Sequence, residues 1–160
     1  MTACPRSSQG VFCWAAFKEG NVKRIRVPVV LAALLLMGVC APASAGNSDP
    51  LFINMTTDEP HRADMAITFG MNQMEKGHPL TIFLNDKGVL VGSKVNASKY
   101  AKHQKDLAAL MSKGATVIAC PMCMKHYLVK EENLLPGILV GNPDLTGGAL
   151  FKENTQTLTW

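Results

Sequence analysis

Short apolar runs recur along the chain after residue 50. Residues 51–55, 80–85 and 116–119 (LFINM, LTIFLN and TVIA) are mostly apolar at consecutive positions and stand between turn-forming residues. A run that is apolar on both faces of an extended chain is typical of a strand in a parallel sheet covered by helices. The pattern therefore predicts three inner strands.

Between these runs, apolar residues recur at the spacing of amphipathic helices. One set covers residues 63–74 and the other covers residues 100–111, and a Lys-Gly pair that suits a helix end follows each. We predict that Ser98 caps the second helix and that residues 85–94 form a turn-rich connection. Alternating strands and helices predict an α/β domain with three layers, α/β/α, around a central, mainly parallel sheet of about five strands.

The chain after residue 130 contains many helix and strand breakers. A strand near residues 137–140, a helix near residues 143–153 and a last strand at residues 158–160 are predicted to complete the sheet.

The first 45 residues have the pattern of a cleavable export signal. Lys23, Arg24 and Arg26 precede an apolar run at 27–41, and the small residues before Gly46 suit a signal peptidase. The run is shorter than the roughly 20 residues of a spanning helix. We predict a signal peptide at 1–45, a domain at 46–160, a periplasmic or secreted location and no stable membrane insertion after cleavage.

The positive charge of the chain belongs to this signal. The formal net charge is +4, and residues 1–45 hold five basic residues and one acidic residue, so residues 46–160 hold eleven of each sign. A neutral domain gives no reason to expect nucleic acid as a partner. Some 20 residues precede the basic cluster at Lys23, more than the n-region of a signal usually has, and we hypothesise that translation begins at Val22. Cleavage also leaves only Cys120 and Cys123, in an oxidising compartment.

The segment ACPMCMKH, at residues 119–126, concentrates the chemistry of the domain. Cys120 follows the third strand, and Pro121 suits the first position of a helix. The Cys120 thiol would then face the positive end of that helix, which stabilises a thiolate and makes the cysteine nucleophilic. Cys123 is the second thiol, and Lys125 and His126 are candidates to support the charge.

Three other interpretations of this segment remain open. Cys120 and Cys123 can be buried apolar residues or a static disulfide, although such a short loop adds little stability. They can also exchange disulfides as in thioredoxin. Finally, the segment can be a metal site, because thiolate, thioether and imidazole ligands select Cu(I). The candidate ligands are Cys120, Met122, Cys123, Met124 and His126. Outside that last possibility, we expect neither a metal nor another cofactor.

Two further polar residues follow the first strand. Thr57 and His61 are candidates to face the same crevice as the cysteines, although Thr57 is equally suited to cap a helix. His78 and His103 are predicted to be solvated surface groups.

The chain resembles the DsrE/DsrF-like family of small sulfur-relay proteins. The resemblance lies in LFINM with its TTDEP loop, VIACPMC, GILVG and the closing TLTW, and it covers nearly all of residues 51–160. The family pattern often has Arg-Gly three residues after the second cysteine, where this chain has Tyr127-Leu128.

The resemblance implies that Cys120 carries sulfur as a persulfide and that Cys123 resolves it. The implied activity is that of a sulfurtransferase or sulfur carrier without a cofactor. Its partners would be sulfur donor and acceptor proteins or small thiols. Because members of the family associate as trimers or hexamers, the resemblance also implies a homo-oligomer.

Overall fold

The computed structural model describes residues 48–160. The export signal predicted for residues 1–45 lies outside this part of the chain. Within residues 48–160, every helix is too short or too polar to cross a lipid bilayer.

Five parallel strands form one central sheet in the order β4-β3-β2-β1-β5. This sheet and the helices around it confirm the predicted three-layer α/β/α fold. The strands are β1 (Leu51–Met55), β2 (Leu80–Leu84), β3 (Thr116–Ala119), β4 (Leu139–Val140) and β5 (Gln156–Thr159).

Within residues 48–160, five helices connect the strands. They are α1 (Pro60–Glu75), α2 (Gly88–Val91), α3 (Ala97–Ser112), α4 (Pro121–His126) and α5 (Pro143–Leu150). Short 3-10 turns at Lys94–Asn96 and Glu131–Asn133 complete the connections.

The core lies between the sheet and the helices α1 and α3. Its fully buried members include aliphatic and thioether side chains from β1, β2 and β3 on one side and from the two helices on the other: Ile53, Met55, Ile82, Leu84, Val117, Ile67 and Leu107. Burying a side chain of this size contributes about 1.5–3 kcal/mol. This packing explains why the helical spacing in the sequence identified α1 and α3 correctly.

The order of the strands creates a crevice between β3 and β4. The chain steps in one direction from β1 to β4 and then crosses back over three strands to reach β5. Because crossovers between parallel strands are right-handed, the last crossover places α5 on the face opposite to α1 and α3. The connections after β3 and β4 therefore diverge, and ligands of open α/β sheets bind at such a point.

Several local predictions were wrong. The turn-rich connection contains the short helix α2, and α3 begins at Ala97 with Asn96 as its cap residue, so Ser98 is not the cap. The last helix ends at Leu150, and β5 begins at Gln156 rather than at residue 158. The reason for the last shift is that the register with β1 is set by the Gln156 N–H, which donates to Pro50 O at 2.8 Å.

The histidines also differ from prediction. His103 is buried, its Nε2 atom lies 2.8 Å from Pro60 O, and its ring packs edge-on against Tyr100. His78 is half-buried, with Nδ1 2.8 Å from Asp49 O. Both rings thus serve packing between elements rather than lying free on the surface.

Candidate functional site

Cys120 lies where β3 ends and α4 begins. Its backbone is extended (φ −70°, ψ 117°), its N–H donates to Leu84 O at 2.9 Å, and its carbonyl accepts the first helical bond from Met124 N–H at 2.9 Å. Cys120 is therefore the cap residue of α4, and Pro121 holds the first helical position, where its missing N–H is harmless. Both placements agree with the sequence analysis.

The crevice between β3 and β4 opens beside Cys120 as a shallow depression of about 350 Å³. Cys120 is only 6% exposed, but it forms part of the wall of this depression. The wall is almost entirely apolar and includes Phe83, Met122, Gly141, Asn142 and Thr146. Cys120 thus belongs to the buried core and at the same time borders an open surface.

Gly141 allows the chain after β4 to lie close against β3. A Cβ atom at this position would lie 3.1 Å from Ile118 Cγ2 and 3.2 Å from Ala119 O. The Gly141 N–H donates to Ala119 O at 2.8 Å, and the next residue, Asn142, caps α5 by accepting from Leu145 N–H at 2.8 Å. The floor of the depression is therefore fixed by backbone contacts.

Cys123 faces a different environment, the loop after β2. Its Sγ atom donates to Asn85 Oδ1 at 3.1 Å and accepts from Asp86 N–H at 3.1 Å. The thiol of Cys120 also lies within hydrogen-bonding reach of Cys123. Cys120 and Cys123, the cysteines of the described residues, are both free thiols.

The surroundings of Cys123 oppose its ionisation. Burial raises the pKa of Cys123 to about 11, and the hydrogen bond with Cys120 and the negative charge of Asp86 act in the same direction. The Asp86 N–H opposes them in part. Near neutral pH, Cys123 is therefore a protonated thiol, which is a weak nucleophile.

Tyr127 joins the end of α4 to the same loop. Its hydroxyl donates to Asp86 Oδ1, and this bond to a carboxylate raises the pKa of Tyr127 to about 12. The next residue, Leu128, has a left-handed backbone (φ 56°), and the Val129 N–H donates to Met124 O at 2.8 Å. This is a Schellman end, which usually places glycine where Leu128 stands.

The four supporting residues predicted from the sequence are not among the hydrogen-bond partners of Cys123. Lys125 and His126 are exposed on α4, and the His126 ring packs edge-on against Tyr127. Thr57 Oγ1 accepts from Glu59 N–H at 3.0 Å, and His61 is exposed in the first turn of α1. Thr57 and His61 are not part of the wall beside Cys120.

Glu59, rather than Thr57, caps α1. Its carboxylate accepts from His61 N–H at 3.0 Å and from Arg62 N–H at 2.7 Å. These two bonds to backbone groups lower the pKa of Glu59.

The side chains of the alternative Cu(I) set point into different surroundings. Met124 belongs to the buried core, Met122 is 78% exposed at the depression, and His126 is exposed on the surface. Among residues 48–160, no group of three or more histidine, cysteine, aspartate or glutamate side chains is arranged to hold a metal ion.

Sequence analysis missed Asn85, Asp86 and Tyr127. The signal was present, because Asn85 and Asp86 directly follow β2 and the carboxyl ends of neighbouring parallel strands meet at one edge of the sheet. Tyr127 was noted only as a departure from the family pattern, yet it contacts the loop that holds Cys123.

Comparisons with known proteins agree with this architecture. An uncharacterized protein from Methanocaldococcus jannaschii is 32% identical over 114 residues, which are 68% of this chain and 98% of that protein. The structure of a protein of unknown function from Methanobacterium thermoautotrophicum has a TM-score of 0.60 and 16% identity, covering 71% of this chain and all of that one. The ychN protein from E. coli has a TM-score of 0.55 and 14% identity, covering 71% of this chain and 99% of that one.

The family assignment rests on a match over most of the domain. A model of the DsrE/DsrF-like family matches residues 51–153, from the first residue of β1 to just beyond α5. With the five-stranded parallel sheet and the similar solved structures, this match identifies the chain as a member of the DsrE/DsrF-like family.

Proposed function

We propose that this protein is an exported sulfur carrier in which Cys120 holds a sulfane sulfur as a persulfide. Membership of the DsrE/DsrF-like family, which suggests a sulfur-relay fold, supports the proposal. In the proposed cycle, the Cys120 thiol takes the terminal sulfane sulfur of a donor persulfide, carried by a protein or a small molecule, and the donor leaves as a thiol; Cys120 then passes the sulfur to an acceptor thiol in the same way. Cys123 is the resolving thiol.

The observation that carries the proposal is the position of Cys120. It stands at the carboxyl end of β3, in the wall of an open and almost wholly apolar depression, with the Cys123 thiol within hydrogen-bonding reach. Sulfur is polarisable and favours apolar contacts, so the depression suits a terminal sulfane sulfur. A carrier needs such an open position, because donor and acceptor must both reach the same atom.

Polysulfide loading followed by mass spectrometry tests sulfur carriage. We expect an adduct of about 32 Da, one sulfur atom, on Cys120 after the domain is incubated with polysulfide. Cys120→Ser should abolish the adduct, and Cys123→Ser should retain it. If the adduct is absent from the wild type, or persists in Cys120→Ser, the assignment of Cys120 as the carrier is wrong.

Thiol-disulfide exchange is a second candidate function of the same pair. The closeness of the two thiols favours it, because a disulfide between Cys120 and Cys123 needs only a short movement of sulfur atoms. An insulin-reduction assay separates the two functions. Turnover comparable to that of thioredoxin, without persulfide formation, would favour exchange.

Export of the domain is proposed from the presequence alone. Cell fractionation tests it: we expect the processed protein, beginning at Gly46, in the periplasm or the medium. Recovery of the unprocessed chain in the cytoplasm would contradict export without affecting the chemistry proposed for Cys120.

A further inference from the structure

The thiol of Cys123 is held from two sides by the loop after β2. It donates to Asn85 Oδ1 at 3.1 Å and accepts from Asp86 N–H at 3.1 Å. The same N–H also lies 2.9 Å from Asn85 Oδ1, so the Asn85 side chain, the Asp86 backbone and the thiol form one closed set of contacts. The thiol proton of Cys123 is thereby directed towards the amide oxygen of Asn85.

The loop is itself held in place. Asp86 has a left-handed backbone (φ 44°), which aspartate tolerates better than most residues. Its carboxylate accepts from the Tyr127 hydroxyl, and the Asn85 N–H donates to Met55 O at 2.9 Å. Asn85 is therefore a fixed acceptor, anchored to β1 through its backbone.

We propose that Asn85 is a positioning residue that keeps Cys123 as a protonated hydrogen-bond donor, and that it thereby sets how long a persulfide persists on Cys120. The inference rests on the proposed function, because it concerns the fate of the sulfur that Cys120 carries. It gives a role to a residue that is not part of the wall of the depression.

The reaction that Asn85 restrains is discharge of the persulfide within the protein. The Cys123 thiol loses its proton, and its sulfur attacks the Sγ atom of Cys120. The bond between that Sγ atom and the terminal sulfur breaks, and the terminal sulfur leaves as hydrosulfide with the bonding electron pair. The two cysteine sulfurs are oxidised to a disulfide, the sulfane sulfur is reduced to sulfide, and the proton ends on sulfide or solvent. An external dithiol must then reduce the disulfide.

The charged and titratable groups around Cys123 work with Asn85. Cys120 faces it from the end of β3 and Asp86 faces it from the loop, while Tyr127, at the end of α4, holds the Asp86 carboxylate. Burial, Cys120 and Asp86 all raise the pKa of Cys123. While the proton remains, intramolecular attack is slow and the sulfur stays available to an external acceptor.

The first test measures Cys123 alone and needs no persulfide. In a Cys120→Ser background, the rate of Cys123 alkylation by iodoacetamide is followed by mass spectrometry as a function of pH. We expect Asn85→Ala to increase the rate near pH 8 by about fivefold or more, because more thiolate is present. Asn72→Ala, on the exposed face of α1, is the matched control and should leave the rate unchanged. Equal rates for Asn85→Ala and its parent would overturn the proposal.

The second test uses both cysteines. After polysulfide loading, sulfide release should be faster in Asn85→Ala than in the wild type, and Asn85→Asp, which keeps an acceptor oxygen, should release sulfide no faster than the wild type. Circular dichroism checks folding. If Asn85→Ala does not fold, Asp86→Asn removes the charge but keeps the backbone N–H, and it should also accelerate alkylation and release.

The two tests separate the positioning role from the proposed function. If Asn85→Ala accelerates alkylation but the wild type never forms a persulfide, the proposed sulfur carriage is wrong and the positioning of Cys123 by Asn85 stands. If the wild type forms a persulfide but Asn85→Ala changes neither the alkylation rate nor the rate of sulfide release, the proposed role of Asn85 is wrong and sulfur carriage stands.

Discussion

The Sγ atom of Cys123 lies 3.1 Å from the Oδ1 atom of Asn85, which is 38 positions earlier in the chain. This contact joins α4 to the loop after β2. It also distinguishes the two cysteines, because Cys120 borders an apolar depression whereas Cys123 is engaged by a polar loop. Two thiols separated by only two residues are thus given different chemical surroundings.

The raised pKa of Cys123 predicts that the domain loses stability at alkaline pH. The ordinary value is 9.0 and the folded value is about 11, so the contribution of the thiol is complete below pH 9 and disappears as pH rises through 11. Tyr127, whose pKa is raised from 10.0 to about 12, acts in the same direction. We expect the urea concentration at the unfolding midpoint to fall as the pH is raised from about 8 to about 10.5. The fall should be smaller in Cys123→Ser. Identical pH profiles for the two proteins would contradict this prediction.

Gly88, at the start of α2, is predicted to be intolerant of any side chain. A Cβ atom there would lie 2.1 Å from Met55 O, a backbone atom at the end of β1. We expect Gly88→Ala to lower the free energy of unfolding by about 2–3 kcal/mol or more, because the loop must move away from the sheet. Gly148→Ala is the matched control: nothing lies within 4 Å of that position, and alanine in α5 should stabilise by about 0.5–1 kcal/mol. Urea denaturation measures both, and similar values would show that the close approach is not limiting.

Leu128 is predicted to be a strained helix end. It is 86% exposed and has a left-handed backbone, so its side chain gains little from burial while its backbone is unfavourable. We expect Leu128→Gly to raise the free energy of unfolding by about 0.5–1 kcal/mol, after the greater flexibility of glycine in the unfolded chain is deducted. Thermal denaturation at neutral pH checks this. A lower midpoint would mean that the Leu128 side chain makes a stabilising contact.

Tyr100 is predicted to stabilise the loop after β1 through Asp58. Its hydroxyl lies 3.0 Å from the Asp58 carbonyl oxygen and 2.9 Å from Oδ2, and it donates to both. Burial opposes ionisation of Asp58, but the hydrogen bonds from Lys99 and Tyr100 outweigh it, and the pKa of Asp58 is lowered. We expect Tyr100→Phe to destabilise the domain by about 1–2 kcal/mol at pH 7.

The effect of Tyr100→Phe should also depend on pH. Because the pKa of Asp58 is lowered by folding, its contribution is present above 3.8 and is lost as pH falls below that value. The difference between wild type and Tyr100→Phe should therefore shrink in acid. Lys99→Ala tests the more exposed partner and should have the smaller effect at pH 7. A difference that is constant from pH 7 to about pH 3 would exclude Asp58 as the cause.

The homo-oligomer implied by the family is predicted to involve the outer edge of β5. All four residues of this end strand are exposed, and it carries no charged residue or proline to discourage pairing. A second copy can pair its own β5 antiparallel about a two-fold axis, which would bring the neighbouring side chains Leu158 and Phe69 of both copies together. Sedimentation velocity should detect an oligomer that Leu158→Lys dissociates. A monomeric wild type would contradict this prediction.

Much of the fold could be predicted because its signals are local. The strands at residues 51–55 and 116–119 are short apolar runs between turns, and they appear at the predicted positions. By contrast, β5 is polar at most positions and exposed on both faces, so its pattern has no buried face to reveal its limits. Its bounds come from pairing with β1, which is a contact between the two ends of the domain.

Only the part of the site that is formed by residues close together in the sequence could be predicted. Cys120, Pro121 and Cys123 are neighbours in sequence, so their positions on a strand end and a short helix follow from local rules. The partners of Cys123 come from a different loop, and no spacing in the sequence connects Asn85 with Cys123. The prediction that His103 is a solvated surface group was wrong for the same reason. The carbonyl that accepts a hydrogen bond from its ring belongs to another helix.

After β4, the order in which strands are added across the sheet reverses, and this has a consequence for engineering. Since the connections after β3 and β4 depart to opposite sides, the opening next to Cys120 is a product of strand order, and no single side chain creates it. Replacing the residues at 142–146 would alter which molecules reach the sulfur atom without displacing it. If Asn85 has the proposed role, access to Cys120 and the lifetime of its persulfide can be redesigned separately, the first through α5 and the second through the loop that contains Asn85.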